Sequence, residues 1–289
     1  MGLGLGLGIW WSTQTSIIPS LLKLLEARAD YFENKICTTA ILEEIAAVRY
    51  TAPPLPVYTD NLVASYSFDT DFSDYTGNND LTASGDAIAG VTGGKVSDCA
   101  ELDGNNDYTI AADSDDFSFT NGTNDLPFSI SLWANFNTIP SGSSISLFNK
   151  SNLFSGNGEY IFTYINNQIA FGLYSNGVFQ DNIETKISFA PIINVWNHIT
   201  VTYDGSAIFG GIKIYINGVS QAITNSSTGT YVGMVNGSKP FHVGSRGWSP
   251  STGEFDGKLD ELHIWKNREL TSAEVLDIYN TENAGNSIL

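Results

Sequence analysis

Ile212-Lys213-Ile214-Tyr215-Ile216-Asn217-Gly218-Val219 sets an isoleucine at every second position and then breaks on Asn-Gly. Period two places the three isoleucines on one face of a strand. Asn and Gly accept the two positive φ values of a type I′ turn at little cost, so a hairpin is predicted with Val219 opening the return strand. The same texture extends outward in both directions. Leu62-Val-Ala-Ser-Tyr-Ser-Phe68, Phe128-Ser-Ile-Ser-Leu-Trp-Ala-Asn-Phe136, His198-Ile-Thr-Val-Thr-Tyr203 and Leu259-Asp-Glu-Leu-His-Ile-Trp265 each alternate in part, separated by turns rich in Gly, Asn, Asp and Ser. From about residue 60 the chain therefore reads as mainly β. One helix is expected there, capped by Thr271 with Glu274 completing a capping box and Val275, Ile278 and Tyr279 on one face.

Composition agrees with a turn-rich β-protein. Only 15% of the 289 residues are charged, against 12% aromatic and 28 glycines, so the polar surface is mostly uncharged. Thirteen Lys+Arg face 31 Asp+Glu, a formal net charge of -18. That charge repels phosphate backbones and anionic lipid, which excludes nucleic acid as a partner class and favours cations. No apolar run reaches the roughly 18 residues of a membrane span, so no membrane insertion is expected. Cys37 and Cys99 stand far apart with no CxxC and no neighbouring His cluster, which supports neither a disulfide framework nor a zinc site. The opening Met1-Gly-Leu-Gly-Leu-Gly-Leu-Gly-Ile-Trp-Trp lacks a basic stretch and reads as neither a signal peptide nor a myristoylation site.

A proline cluster, Pro53-Pro54-Leu55-Pro56, separates two unlike segments, and four units are expected: 1–52, a linker 53–60, a sandwich 61–284 and a tail 285–289. Upstream, Leu22, Leu25, Ala29, Phe32 and Ile36 recur at spacings of three and four, the pattern of an apolar helical stripe. A second helix follows Thr38 or Thr39, with Ile41, Ile45 and Val48. So short a helical segment cannot bury its stripe alone. It either folds back on its own domain or serves as an anchoring and assembly element, in a homo-oligomer or against other assembly proteins.

Val63-Ala-Ser-Tyr-Ser-Phe68, Leu102-Asp103-Gly104-Asn-Asn-Asp-Tyr108, Phe128-Ser-Ile-Ser-Leu-Trp133, Trp196-Asn-His198-Ile-Thr-Val-Thr-Tyr203-Asp204-Gly205, and Phe255-Asp-Gly257-Lys-Leu-Asp260-Glu261-Leu-His-Ile264 followed by Leu270-Thr-Ser-Ala-Glu274 occur in this order. Together they resemble the LamG-like, concanavalin A-like jelly-roll domains over about residues 62–283. The first 60 residues carry no such resemblance. It implies a two-sheet antiparallel sandwich used mainly to bind glycans or proteins, often with calcium. It also implies that the loop after the first strand and the Asp of the closing strand meet around the cation, which nominates Asp74, Asn78 and Asp260. Independently, thirteen carboxylates lie between Asp69 and Asp125 against the single base Lys95. Such crowding is relieved by a cation bound through oxygen ligands, or by water around a solvated acidic turn.

For a glycan, Gly244-Ser-Arg246-Gly-Trp248-Ser-Pro-Ser-Thr-Gly253 offers an aromatic plate at Trp248 and a bidentate donor at Arg246. The competing role for Trp248 is packing over the core edge. Trp133, Trp196 and Trp265 sit in strand patterns and are expected in the core. Glucanases of similar architecture carry paired carboxylates as E-x-D-x-x-E. Here Glu254-Phe-Asp256 is followed by Leu259 at the last position, and no nucleophile motif accompanies His198, His242 or His263. The expectation is a non-enzymatic structural attachment protein on the surface of a viral particle, a phage, with an outward sandwich. A secreted or cell-surface lectin-like adhesion module is the alternative, and a glycoside hydrolase ranks last.

Overall fold

The computed structural model describes residues 58–140, 142, 144–151, 158–175, 181–246 and 253–289. The heptad-spaced Leu22, Leu25, Ala29, Phe32 and Ile36 and the proline cluster lie outside them. Sixteen described strands, numbered in chain order, form two antiparallel sheets. The first runs β13 (Val219–Ser220), β12 (Ile212–Ile216), β11 (Trp196–Tyr203), β6 (Phe128–Phe136), β16 (Asp256–Lys266), β4 (Asp98–Asp103), β3 (Ile88–Thr92), with β1 (Leu62–Tyr66) also paired to β16. The second runs β14 (Thr224–Thr228), β10 (Asn182–Ser188), β9 (Gln168–Tyr174), β8 (Tyr160–Ile165), β7 (Ile145–Lys150), β15 (Phe241–Val243), β5 (Tyr108–Ala111), β2 (Thr82–Ser84). This is the expected sandwich, mainly β.

The hairpin forms as its residues require. Ile216 pairs with Val219, and Asn217 and Gly218 turn at φ 51 and 76. Between the sheets, Phe128, Ile130, Leu132, Ala134 and Phe136 of β6 meet Phe148, Tyr160, Phe162 and Phe171 of the second sheet. Each of the larger side chains, Ala134 excepted, contributes about 1.5–3 kcal/mol by leaving water.

The alternate residues of β6 are buried as well, because helix α1 (Ser272–Asn283) lies over the outer face of the first sheet. Its capping box forms between Thr271 and Glu274. Leu270, Val275 and Ile278 pack on Tyr215, Trp265 and Tyr58. Trp265 is fully buried and donates its indole N–H to the Tyr58 carbonyl at 2.6 Å. Trp133 is buried under α1 too, so both tryptophans pack on the helix side of the sheet and not between the sheets. Trp196, expected in the core, is only half-buried at the start of β11. After α1 the chain turns back, and Ile288 packs on the same cluster.

Strand β16 does not keep one alternation. Its register shifts between Asp260 and His263, and Glu261 adopts φ 45. This bulge inserts one residue, so Leu259 and Leu262, three apart, both reach the intersheet core. Asp260, Glu261 and His263 are all buried outside that core.

Candidate functional site

Sheet register assembles a row of side chains on the outer face of the second sheet. Glu184 lies opposite Gly172, Gly172 opposite Ile161, Ile161 opposite Asn149, Asn149 opposite His242 and His242 opposite Ile110. Their chain neighbours Phe171, Phe162, Phe148 and Phe241 belong to the core, which fixes the row on the opposite face. Tyr174 lies flat on this face. A Cβ on Gly172 would stand 2.8 Å from the Tyr174 hydroxyl, so only glycine lets the ring down onto the sheet beside Ile161. Burial, with Glu184 nearby, raises the Tyr174 phenol, which therefore stays a neutral hydrogen-bonding group. Glu184 pairs with Lys186 at 2.7 Å.

At the centre of this face the hydrogen-bonding account is incomplete. Asn149 donates to the Ser245 carbonyl at 2.5 Å and to Ser146 Oγ at 3.2 Å. Its Oδ1, together with Ser245 Oγ and His242 Nδ1, is buried with no hydrogen-bond partner among the described residues. Buried polar atoms are almost always paired. Burial pushes His242 down to about 4, so its imidazole is neutral at physiological pH and offers one donor and one acceptor nitrogen. Sequence reasoning missed Asn149, Tyr174 and His242, because only the cross-strand register shows that they share a face.

Arg246 follows Ser245 directly, and its guanidinium donates to the Ser144 carbonyl at the start of β7. Burial lowers its pKa only from the usual arginine range. Arg246 thus ties the chain after β15 to the start of β7. Trp248, the nominated plate, lies outside the described residues.

The nominated metal ligands serve separate loops. Asp74 Oδ1 accepts from the Ser65 and Thr76 N–H, and Oδ2 accepts from the Asn78 and Asn79 N–H and the Thr76 hydroxyl. Asn78 is exposed and donates its side-chain amide to the Thr76 carbonyl. Asp260, fully buried, accepts from Lys95 N at 2.6 Å, Val96 N at 2.9 Å and Glu261 N at 2.9 Å. Burial pushes Asp260 up to about 8 against those three donors. Among the described residues no hydrogen bond joins Asp74 or Asn78 to Asp260. Each aspartate organises a turn: Asp74 between β1 and β2, Asp260 the turn between β3 and β4.

A second polar cluster, also missed by sequence reasoning, is sealed beneath α1. His263 Nε2 lies 2.9 Å from Glu282 Oε1 and 3.1 Å from Glu261 Oε2, and its Nδ1 lies 2.8 Å from Ser65 Oγ. Despite complete burial, the two carboxylates hold His263 up at about 10, so it is an imidazolium. Its neighbour His198 bonds Ser131 at 2.7 Å and is pushed down to about 3, by burial first and the charge of His263 second. Glu261, His263 and Glu282 could together hold a cation in place of the imidazolium proton, their ligand atoms lying within 4.8 Å of one another. The bonding already present describes a buried ion cluster that pins the helix to the sheet.

Solved structures with the same fold include domain 4 of AbnA, a GH43 extracellular arabinanase from Geobacillus stearothermophilus, in complex with arabinotriose. It shares 22% identity over 76% of this chain and 98% of that one, with a TM-score of 0.54. The binding domain of Paraclostridial Mosquitocidal Protein 1 is similar at 22% identity, over 76% of this chain and 52% of that one, with a TM-score of 0.57. The binding domain of botulinum neurotoxin DC in complex with SialylT is similar at 15% identity, over 77% of this chain and 52% of that one, with a TM-score of 0.57. The chain thus spans about half the length of the two toxin domains. No curated protein sequence matches it. The profile of the concanavalin A-like lectin/glucanases superfamily matches residues 101–276, within the two-sheet sandwich just described, and the chain belongs to that superfamily.

Proposed function

We propose that this protein is a lectin-like binding module whose ligand is a glycan held on the outer face of the second sheet. The observation that carries the reading is the group of buried Asn149 Oδ1, Ser245 Oγ and His242 Nδ1, without partners among the described residues, with Arg246 next to Ser245 in the chain. A glycan supplies what such a group needs once the side chains over it part: several hydroxyls at short spacing and an apolar ring face for an aromatic such as Tyr174 or Trp248. The arabinanase domain and the toxin domain named above were each solved with a saccharide or the SialylT ligand, which favours the same use of this fold. No bond in the ligand is broken in this reading. Leu259 stands where the glucanase pattern has its second glutamate, and Asp256 Oδ1 accepts from Asn137 at 3.2 Å.

The finer reading is an attachment protein of a viral particle, a phage. Residues 1–52 anchor it as an oligomer through Leu22, Leu25, Ala29, Phe32 and Ile36, and the sandwich is carried outward beyond the prolines. The heptad-like spacing next to a stiff linker supports an assembled form, and a secreted or cell-surface adhesion module is the alternative.

A glycan array tests the site. The full chain should be retained on a subset of glycans, and Asn149→Ala, Arg246→Ala and Trp248→Ala should each lose retention while the sandwich stays folded. Unchanged retention in all three would sink the glycan site. Light scattering tests the assembly reading: the full chain should be oligomeric and the fragment Tyr58–Leu289 monomeric, and a monomeric full chain would refute it.

A further inference from the structure

At the end of β7 a lysine is buried completely. Lys150 is 0% exposed, and its ammonium lies 2.6 Å from Glu159 Oε1, 2.8 Å from Asp113 Oδ1 and 2.9 Å from the Gly237 carbonyl. Glu159, just before β8, is also 0% exposed. Its Oε1 accepts from Ser118 Oγ at 3.1 Å and Gly237 N at 3.0 Å, while its Oε2 is buried with no partner among the described residues. Asp113 follows β5, with its side chain 40% exposed. Two carboxylates thus face one ammonium, an excess negative charge at a site whose two inner members are cut off from water.

We propose that Lys150 and Asp113 are joined by an intramolecular amide, an isopeptide bond, with Glu159 carrying the proton during its formation. The ammonium first passes a proton to the Asp113 carboxylate by way of Glu159, which leaves a neutral amine beside a neutral acid. The Nζ lone pair attacks Cγ of Asp113, forming the C–N bond and a tetrahedral intermediate. Glu159 takes a proton from that nitrogen and delivers it to the departing Asp113 hydroxyl. The C–O bond breaks, one water leaves, and Glu159 returns to its starting state. No oxidant, reductant or activating group is required.

The geometry favours this chemistry over a plain ion pair in three respects. Reacting atoms approach at about 3–3.5 Å in near-attack arrangements, and Nζ, 2.8 Å from Oδ1, lies at most one C–O bond beyond that distance from Cγ. Burial raises the Glu159 pKa, although Lys150 opposes the shift, and the unpartnered Oε2 is a place to hold the proton. Condensation also removes the charges of Lys150 and Asp113 together, and a buried charge is costly even when paired. The bond would tie β7 to the end of β5 across the intervening β15. A sandwich that holds a ligand under load gains from such a link, but the inference stands on the three side chains and not on the glycan reading.

Intact-mass spectrometry of the denatured full chain tests it. The chain should weigh one water less than its sequence. Asp-Gly pairs at Asp103, Asp204 and Asp256 can also lose water as succinimides, so the deficit should survive hydroxylamine. Trypsin should fail to cut after Lys150, and chymotrypsin should release a branched peptide joining the Asp113 and Lys150 segments. Asp113→Ala, a change at a partly exposed side chain, and Lys150→Arg should each restore the full mass. Glu159→Gln should leave most chains unlinked. A wild-type chain at full sequence mass, or a deficit that persists in Asp113→Ala, would overturn the proposal.

Discussion

The indole N–H of Trp133 donates to Oε2 of Glu282 at 2.6 Å, joining residues 149 positions apart. Trp133 stands on β6 and Glu282 in the last turn of α1, so this bond closes the helix onto the sheet. The other oxygen of Glu282 meets His263. Outside the pair, Lys95 stacks its ammonium 4.7 Å from the Trp133 ring and bonds Asn283 Oδ1 at 2.6 Å.

Removing Glu282 should therefore cost more than a surface change. Glu282→Ala leaves the Trp133 N–H unpaired and the His263 imidazolium with half of its counter-charge. Breaking a buried ion pair by deleting one partner costs about 3–5 kcal/mol. Urea unfolding should show a loss of that size, with Glu282→Gln losing less because its amide oxygen still accepts from the indole. A loss under about 1 kcal/mol would mean that the helix end is not held this way.

Stability should depend on His263 in a defined pH window. Its pKa stands at about 10 in the folded chain, against about 6.5 when unfolded. The raised value contributes stability in full below about pH 6.5, and that contribution is lost as pH rises through 10. Melting temperatures of the wild type and His263→Gln should thus lie furthest apart at and below pH 6.5 and converge towards pH 10. Asp260, held up to about 8, removes stability from both proteins alike as pH rises from about 4 to 8. A gap that stays constant across this range would show that His263 is neutral.

Gly218→Ala should weaken the hairpin through strain and crowding at once. Gly218 has φ 76, and an added Cβ would stand 2.9 Å from Leu276 Cδ1 and 3.2 Å from Tyr279 Cβ on α1. The backbone alone costs about 1–2 kcal/mol for a residue with a Cβ. Gly93→Ala, at φ 89 with nothing within 4 Å, should lose only that part. Equal losses by chemical unfolding would show that the hairpin does not rest on the helix.

Asp74→Ala should loosen the loop between β1 and β2 by leaving four backbone N–H groups without their acceptor, the Thr76 hydroxyl keeping the Val63 carbonyl. Buried unsatisfied groups cost about 1–3 kcal/mol each. Water can reach part of the loop, so a total near 3 kcal/mol is expected. Measured with EDTA and again with excess calcium, the loss should be the same. A loss that grows with calcium would place a cation on Asp74.

Much of the sandwich was legible because its strands carry their own instructions. The Ile212–Val219 segment states both period and turn, and Thr271 with Glu274 states where the helix begins. What stayed hidden depends on register between distant strands. Nothing in Leu259-Asp-Glu-Leu-His tells which residue is the inserted one, yet the bulge at Glu261 decides that Leu262 faces the core while His263 faces the helix. Asn149, His242 and Ser245 likewise converge only once β15 has paired with β7. Arg246 could be nominated from its loop composition, but its role as a donor to Ser144 could not be read from that composition.

The position of β16 bears on how the chain reaches its native state. This last strand pairs with β6 on one side and with β4 and β1 on the other. During synthesis all three have left the ribosome before β16 emerges, and until then their edges lie open with apolar faces exposed. The first sheet is therefore completed late, in one insertion that also brings α1 and the Glu282 clasp into place. A polypeptide interrupted before residue 256 would retain those open edges, a form prone to pair with other chains and visible to proteases. The fold itself thus registers whether β16 has been made.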